Sequence, residues 1–163
     1  MNTQIATSSE LETYLKQIGT FSGSWIKDKR SGYEKDFADL IGAVTEKGRY
    51  YDIIWKGMKI ELKKGKGHAW MNLIRYCEYV TDLTTEPVLT LFLFYKEDRL
   101  TSIYGVEIDE ILKVLGLDKN LSGMQKADHL LEISNSSPHP IEAQSRLTKK
   151  DLDGLKCFYI KLS

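Results

Sequence analysis

The stretch RYYDIIWKGMKIELK, Arg49 to Lys63, decides the reading of this chain. It reads as two strands, Arg49–Trp55 and Met58–Lys63, joined by the two-residue loop Lys56-Gly57. Tyr51, Ile53, Trp55, Met58, Ile60 and Leu62 alternate onto one apolar face, which belongs in a core. The opposite face carries Asp52, Lys59, Glu61 and Lys63. With a two-residue loop, facing positions sum to 113, so Asp52 is expected directly opposite Glu61. Their Cβ atoms would then lie about 5 Å apart. Two opposed carboxylates repel, and a divalent cation turns that repulsion into a binding site. Magnesium suits the pair, because it takes one or two carboxylates and keeps waters for a phosphate. Lys63 projects from the same face two residues beyond Glu61, where an ammonium group binds a phosphate, orients a water or acts as a base. The competing reading is a solvated, charged hairpin face. Against it, Glu61-Leu62-Lys63 is the only acidic-x-Lys triplet in the chain.

Outward from the hairpin the pattern alternates between periods. Ser9 to Ile18 predicts a helix, with Ser9 and Glu12 as a capping box and Leu11, Tyr14, Leu15 and Ile18 on its apolar face. Tyr33 to Lys47 predicts a second, with Tyr33, Phe37, Leu40, Ile41 and Val44 inward and Gly48 as its stop. A third is expected over Ala69 to Val80, turning Trp70, Leu73, Ile74, Cys77 and Val80 to the core. Val88 to Tyr95 is almost continuously apolar and reads as a strand buried on both faces. Leu100 to Val106 is another strand, Ile108 to Leu115 a helix stopped by Gly116, and Lys156 to Leu162 a final strand. Ser134 to Pro140 reads as a surface loop. The fold class expected is α/β, a mixed central sheet flanked by helices.

The chain's 163 residues, 42% of them hydrophobic, are expected to form one domain with a real core. No apolar run approaches the roughly 20 residues of a membrane span. Met1 to Glu12 is polar, without the apolar segment of a signal peptide, and Cys77 and Cys157 read as reduced core thiols. A cytoplasmic protein is therefore expected. Basic and acidic residues balance at 23 each, which gives no support for non-specific nucleic-acid binding. Lysines nevertheless cluster between Lys56 and Lys66, and Arg146, Lys149 and Lys150 form a second basic group, read as a loop.

Helix, Asp-bearing strand, Glu-x-Lys strand, helix, strand: this order over Gly32 to Val106 resembles the PD-(D/E)xK nuclease superfamily, and within it the PvuII-like type II restriction endonucleases. Tyr51 stands where the motif has its proline. The resemblance implies a restriction endonuclease-like fold and a Mg²⁺-dependent endonuclease cutting double-stranded DNA at a specific site. It implies Asp52, Glu61 and Lys63 as catalytic residues, with Asp52 and Glu61 holding the metal and Glu34 as an additional helix carboxylate. The alternative for Glu34 is an exposed acid favoured by the helix dipole. His68-Ala69-Trp70-Met71-Asn72 is similar to the base-reading segment of these enzymes, and Asp28 to a loop acid placed in the minor groove. The interval between Lys63 and His68 is shorter here and a single histidine remains, so no recognition sequence follows from the comparison.

Residue chemistry agrees with DNA along this segment. Lys64 and Lys66 suit phosphates, His68 and Asn72 suit base edges, and Arg146 and Lys149 add basic contacts. The alternative is a flexible basic loop. A palindromic duplex cut on both strands needs two active sites, so a homodimer is expected, with 1–32 as dimerisation or DNA-clamp region. The competing functions are a structure-selective nuclease such as a Holliday-junction resolvase, and a non-catalytic DNA-binding protein with a nuclease-like fold.

Overall fold

The hairpin forms because the turn chemistry and the alternation agree. Lys56 and Gly57 both have positive φ, 45° and 82°, the pattern of a type I′ turn. They join β2 (Ile53–Trp55) to β3 (Met58–Gly65) in the expected register, Ile53 opposite Ile60 and Trp55 opposite Met58. The structure is a computed structural model and describes residues 5–18, 32–46, 48, 50–72, 75–76, 79, 87–97, 99–115, 144–155 and 157–162.

Before the hairpin come α1 (Ser8–Ile18), α2 (Tyr33–Ile41) and the short β1 (Val44–Thr45). After it come β4 (His68–Asn72), β5 (Val88–Lys96), β6 (Arg99–Glu107), α3 (Ile108–Val114), β7 (Gln144–Thr148), α4 (Lys149–Asp153) and β8 (Cys157–Lys161). Six strands form the central sheet in the order β1-β2-β3-β5-β6-β8, while β4 and β7 make a separate two-stranded ribbon. Within the sheet only β3 and β5 pair in parallel. The architecture is therefore mixed α/β, a mostly antiparallel sheet flanked by helices. Among the described residues no helix is long and apolar enough to cross a membrane.

The sheet separates two cores. On one face Leu11 and Leu15 of α1 and Tyr33, Phe37 and Ile41 of α2 cover Ile53, Trp55, Ile60, Leu62, Leu91, Phe158 and Ile160. On the other, Phe92, Phe94, Tyr104 and Val106 pack with Ile111, Leu112, Met71, Tyr76, Leu147 and Leu152. This is why β5 is buried at every position from Val88 to Phe94 and apolar at all of them but Thr90: alternate residues enter alternate cores. The apolar face expected of α1 is buried in the chain's own core.

Three other expectations are corrected. The second helix does not reach Lys47. It ends at Ile41, where Gly42 takes a left-handed conformation (φ 75°) and its N–H meets the Ala38 carbonyl. The chain then turns into β1. The segment from Ala69 does not begin a helix: His68–Asn72 is a strand, with Ala69 and Met71 buried and Trp70 facing solvent at 43% exposure. Helical residues follow at Arg75, Tyr76 and Tyr79, and Leu73, Ile74, Cys77 and Val80 lie outside the described residues. The basic stretch near Arg146 is the strand β7 followed by α4, whose Thr148 and Asp151 form a capping box.

Candidate active site

The candidate site forms where β2 stops pairing with β3. The antiparallel register holds from Trp55 to Ile53, but at Asp52 it breaks: the Asp52 N–H donates to the Ile60 carbonyl, 2.9 Å, although Ile60 is already the ladder partner of Ile53. Two consecutive residues are thereby set against one, as in a β-bulge, a device that re-aims a side chain. The consequence is visible at Tyr51, which packs against the core opposite to the one holding Ile53 and Trp55. Asp52 is thus not the ladder partner of Glu61 that a continued register would make it.

Re-aimed in this way, the Asp52 carboxylate accepts the Leu62 N–H at 2.8 Å. The Leu62 carbonyl accepts the Tyr33 phenol at 3.1 Å. Leu62 lies beyond the reach of β2, so side chains take the place of a strand at this edge of β3. Burial holds the Asp52 carboxyl above its ordinary range; the Leu62 N–H opposes this, Glu61 and Glu34 reinforce it, and Lys63 opposes it. The Tyr33 phenol is raised by burial and by Glu34, Asp52 and Glu61. The charges of Glu34 on α2 and of Glu61 on β3 thus reach both Asp52 and Tyr33.

Glu61 is 3% exposed, which removes the solvated-hairpin reading for this residue. One carboxylate oxygen, Oε2, accepts the Tyr76 phenol at 2.9 Å. The other, Oε1, lies 3.2 Å from Lys63 Nζ and 3.9 Å from Arg75 Nη1. A buried carboxylate without such partners would be strongly disfavoured. Burial raises the Tyr76 phenol well above its ordinary range, and the charge and hydrogen bond of Glu61 add to this. Tyr76 is thereby kept as a neutral donor. Reading the sequence as a helix from Ala69 put Leu73 and Cys77 inward and left Tyr76 unremarked. Tyr33 was read as a core residue, and nothing in its local pattern marks the phenol as a donor to Leu62.

The other anticipated residues divide. Glu34 turns back onto its own helix start, accepting the Gly32 N–H at 3.1 Å, yet its charge reaches Asp52 and Tyr33. Lys64 lies over the Tyr33 ring, 4.9 Å from its centroid, and Lys149 over Phe94 at 5.3 Å, so both ammonium groups already have aromatic faces. Asn72 caps the helical segment that follows it, its Oδ1 accepting the Arg75 N–H at 3.2 Å, which engages one of that oxygen's lone pairs and leaves its amide NH₂ to donate. Lys66 and Arg146 are exposed, and His68 is half-buried. Asp28 lies outside the described residues.

The turn that links β3 to β4 is tight. A Cβ at Gly65 would meet the His68 carbonyl oxygen at 1.9 Å, so only glycine permits this close approach. The Lys149 N–H closes the same turn by donating to the Gly67 carbonyl, 3.2 Å. The ribbon is therefore anchored directly to the strand that carries Glu61 and Lys63. A cavity of about 320 Å³ near the hairpin turn, lined by Ala6, Met58, Val88 and Leu89 among others, includes none of the site's carboxylates.

Among the described residues no three His, Cys, Asp or Glu side chains are grouped as a ready-made metal cage. The donor set is nonetheless compatible with a hard cation. Magnesium requires few protein oxygens, and each carboxylate oxygen has a second lone pair beyond the one already engaged. No protein-family model matches the chain, and no curated protein sequence matches it.

Proposed function

We propose that the chain is a metal-dependent endonuclease that hydrolyses phosphodiester bonds at a specific site in double-stranded DNA. The observation that carries this reading is the meeting of Asp52, raised by burial and neighbouring carboxylates, with a buried Glu61 whose oxygen lies 3.2 Å from Lys63 Nζ. A carboxyl raised by burial and by neighbouring acids, close to a buried carboxylate that pairs with a lysine, is the kind of setting in which hydrolytic chemistry is found.

In this reading Asp52 and Glu61 hold Mg²⁺, with Glu34 as a further carboxylate near Asp52. Bound there, Mg²⁺ would activate water at neutral pH and would offset charge on the phosphate. The chain's own residues do the rest. Tyr76 fixes the orientation of Glu61, and Arg75 adds positive charge beside it. The Leu62 N–H holds one oxygen of Asp52, leaving Oδ1 to turn outward. Lys63 pairs with Glu61 at 3.2 Å and would act on the scissile phosphate or the attacking water. DNA approaches over the β4–β7 ribbon, since its anchoring turn starts two residues beyond Lys63 and Lys66 and Arg146 are exposed there. A two-stranded ribbon fits the major groove. A homodimer supplies the second site for the second strand.

Incubation with supercoiled plasmid and Mg²⁺ tests this. Discrete fragments are expected. Nicking without sequence preference would favour a structure-selective nuclease, and intact plasmid a binding protein.

A further inference from the structure

The outer face of the β4–β7 ribbon presents a side chain that neither catalysis nor the core uses. Ala69, Met71 and Leu147 point inward, each at most 3% exposed, so the alternate positions face solvent. Trp70 is one of them, with 43% of its surface exposed. Its setting is polar and basic rather than apolar. Arg146 is its direct cross-strand partner and is exposed, and His68 lies beside it on the same strand face. The imidazole and indole planes are perpendicular, ring centroids 5.9 Å apart at 89°, so the histidine covers at most one flat face of the indole. The backbone beneath is held by the close approach of Gly65 to His68 and the Lys149 to Gly67 hydrogen bond.

We propose that Trp70 is a stacking platform for a DNA base displaced from its neighbours, with Arg146 taking an adjoining phosphate. This rests on the nuclease reading for its substrate and deepens it: the preferred duplex has an unpaired or easily unstacked base beside the cleavage position. The chemistry identifies the occupant. A flat aromatic surface flanked by a guanidinium and an imidazole complements a nucleobase and its phosphate, whereas an apolar protein partner would meet two polar groups for one ring. Stacking on an aromatic face needs no hydrogen-bond readout of the base, because every base has a flat π-face. Aromatic and apolar side chains that enter a base step act at sites where unstacking is cheap.

The test uses binding in chelator, so that no cleavage is needed. The probe is a short duplex with one unpaired 2-aminopurine, compared with the fully paired duplex. The intact protein should bind the bulged duplex more tightly and quench the 2-aminopurine fluorescence. Trp70→Ala should weaken binding to the bulged duplex by roughly 5- to 140-fold and abolish the quenching, while Trp70→Phe retains most of both. Unchanged affinity and quenching in Trp70→Ala would overturn the proposal. So would a Trp70→Ala effect confined to sedimentation mass, which would make this face a contact between copies. Cleavage separates the two readings. Trp70-dependent quenching in a protein that never cuts DNA leaves the platform standing and removes the nuclease; metal-dependent cutting without that quenching does the reverse.

Discussion

Replacing Tyr76 by Phe removes one oxygen atom from a buried contact and little else. The lost hydrogen bond is to Glu61 Oε2, 2.9 Å away, on a carboxylate only 3% exposed. A hydrogen bond to a charged group contributes about 1.5–3 kcal/mol, and a buried acceptor left short of partners keeps its desolvation cost. Lys63 and Arg75 approach the other oxygen, so they cannot replace the phenol without moving. The expected loss of stability is therefore about 1.5–3 kcal/mol, which for a chain of this size lowers Tm by roughly 3–12 °C. Urea unfolding in the presence of chelator measures it. The same substitution in a Glu61→Gln background should cost only about 1 kcal/mol, because the acceptor is then neutral. Calorimetry should also find Mg²⁺ affinity reduced roughly 10- to 100-fold, since the phenol orients a metal ligand. A Tyr76→Phe protein within about 0.5 kcal/mol of the parent in both backgrounds would refute the idea that Tyr76 holds Glu61.

Three further outcomes follow from the same geometry. Asp52 has its carboxyl raised by burial and by nearby acids, so its native-state contribution is complete below the ordinary carboxylate range and is lost as pH rises through the raised value. In chelator, Asp52→Asn, which keeps an acceptor for Leu62, should gain stability relative to the parent from acid to neutral pH; a pH-independent difference in urea unfolding would contradict this. His68→Ala should relax site preference by about 1–3 kcal/mol of discrimination, whereas Lys66→Ala should weaken all sequences alike and lower the salt dependence. Cleavage profiling on a randomised library separates the two, and unchanged selectivity in His68→Ala would place base reading elsewhere. Sedimentation should find a dimer when the protein is bound to a palindromic duplex; a monomer both free and bound would remove the symmetric two-strand mechanism.

The parts of the fold legible in the sequence are those where one period dominates locally. β2 and β3 alternate around Lys56-Gly57, α1 repeats Leu11 and Leu15 one turn apart, and β5 is almost continuously apolar because both of its faces are buried. The misreadings arose where a distant segment decides. His68–Asn72 satisfies a helical stripe through Trp70, Leu73 and Ile74 as well as a strand alternation through Ala69 and Met71. Its pairing with Gln144–Thr148, far along the chain, settles the choice. Val44 fits the apolar face of a continued helix, but the left-handed turn at Gly42 ends that helix first. At the site, the identity of Glu61 and Lys63 was legible because both sit in regular strand. The position of Asp52 was not, because a bulge displaces it from the register. Tyr76 reaches Glu61 only through tertiary packing, which no spacing reveals.

The central claim is that Asp52, Glu61 and Lys63 form one hydrolytic site. Its most direct test compares the parent and Lys63→Ala on the same plasmid with Mg²⁺, alongside DNA affinity measured in chelator. Discrete fragments from the parent, none from Lys63→Ala, and DNA affinity within a few-fold of the parent are expected, because Lys63 acts at the reacting phosphate or water and not in binding. Cutting by Lys63→Ala at the parental rate would contradict the account.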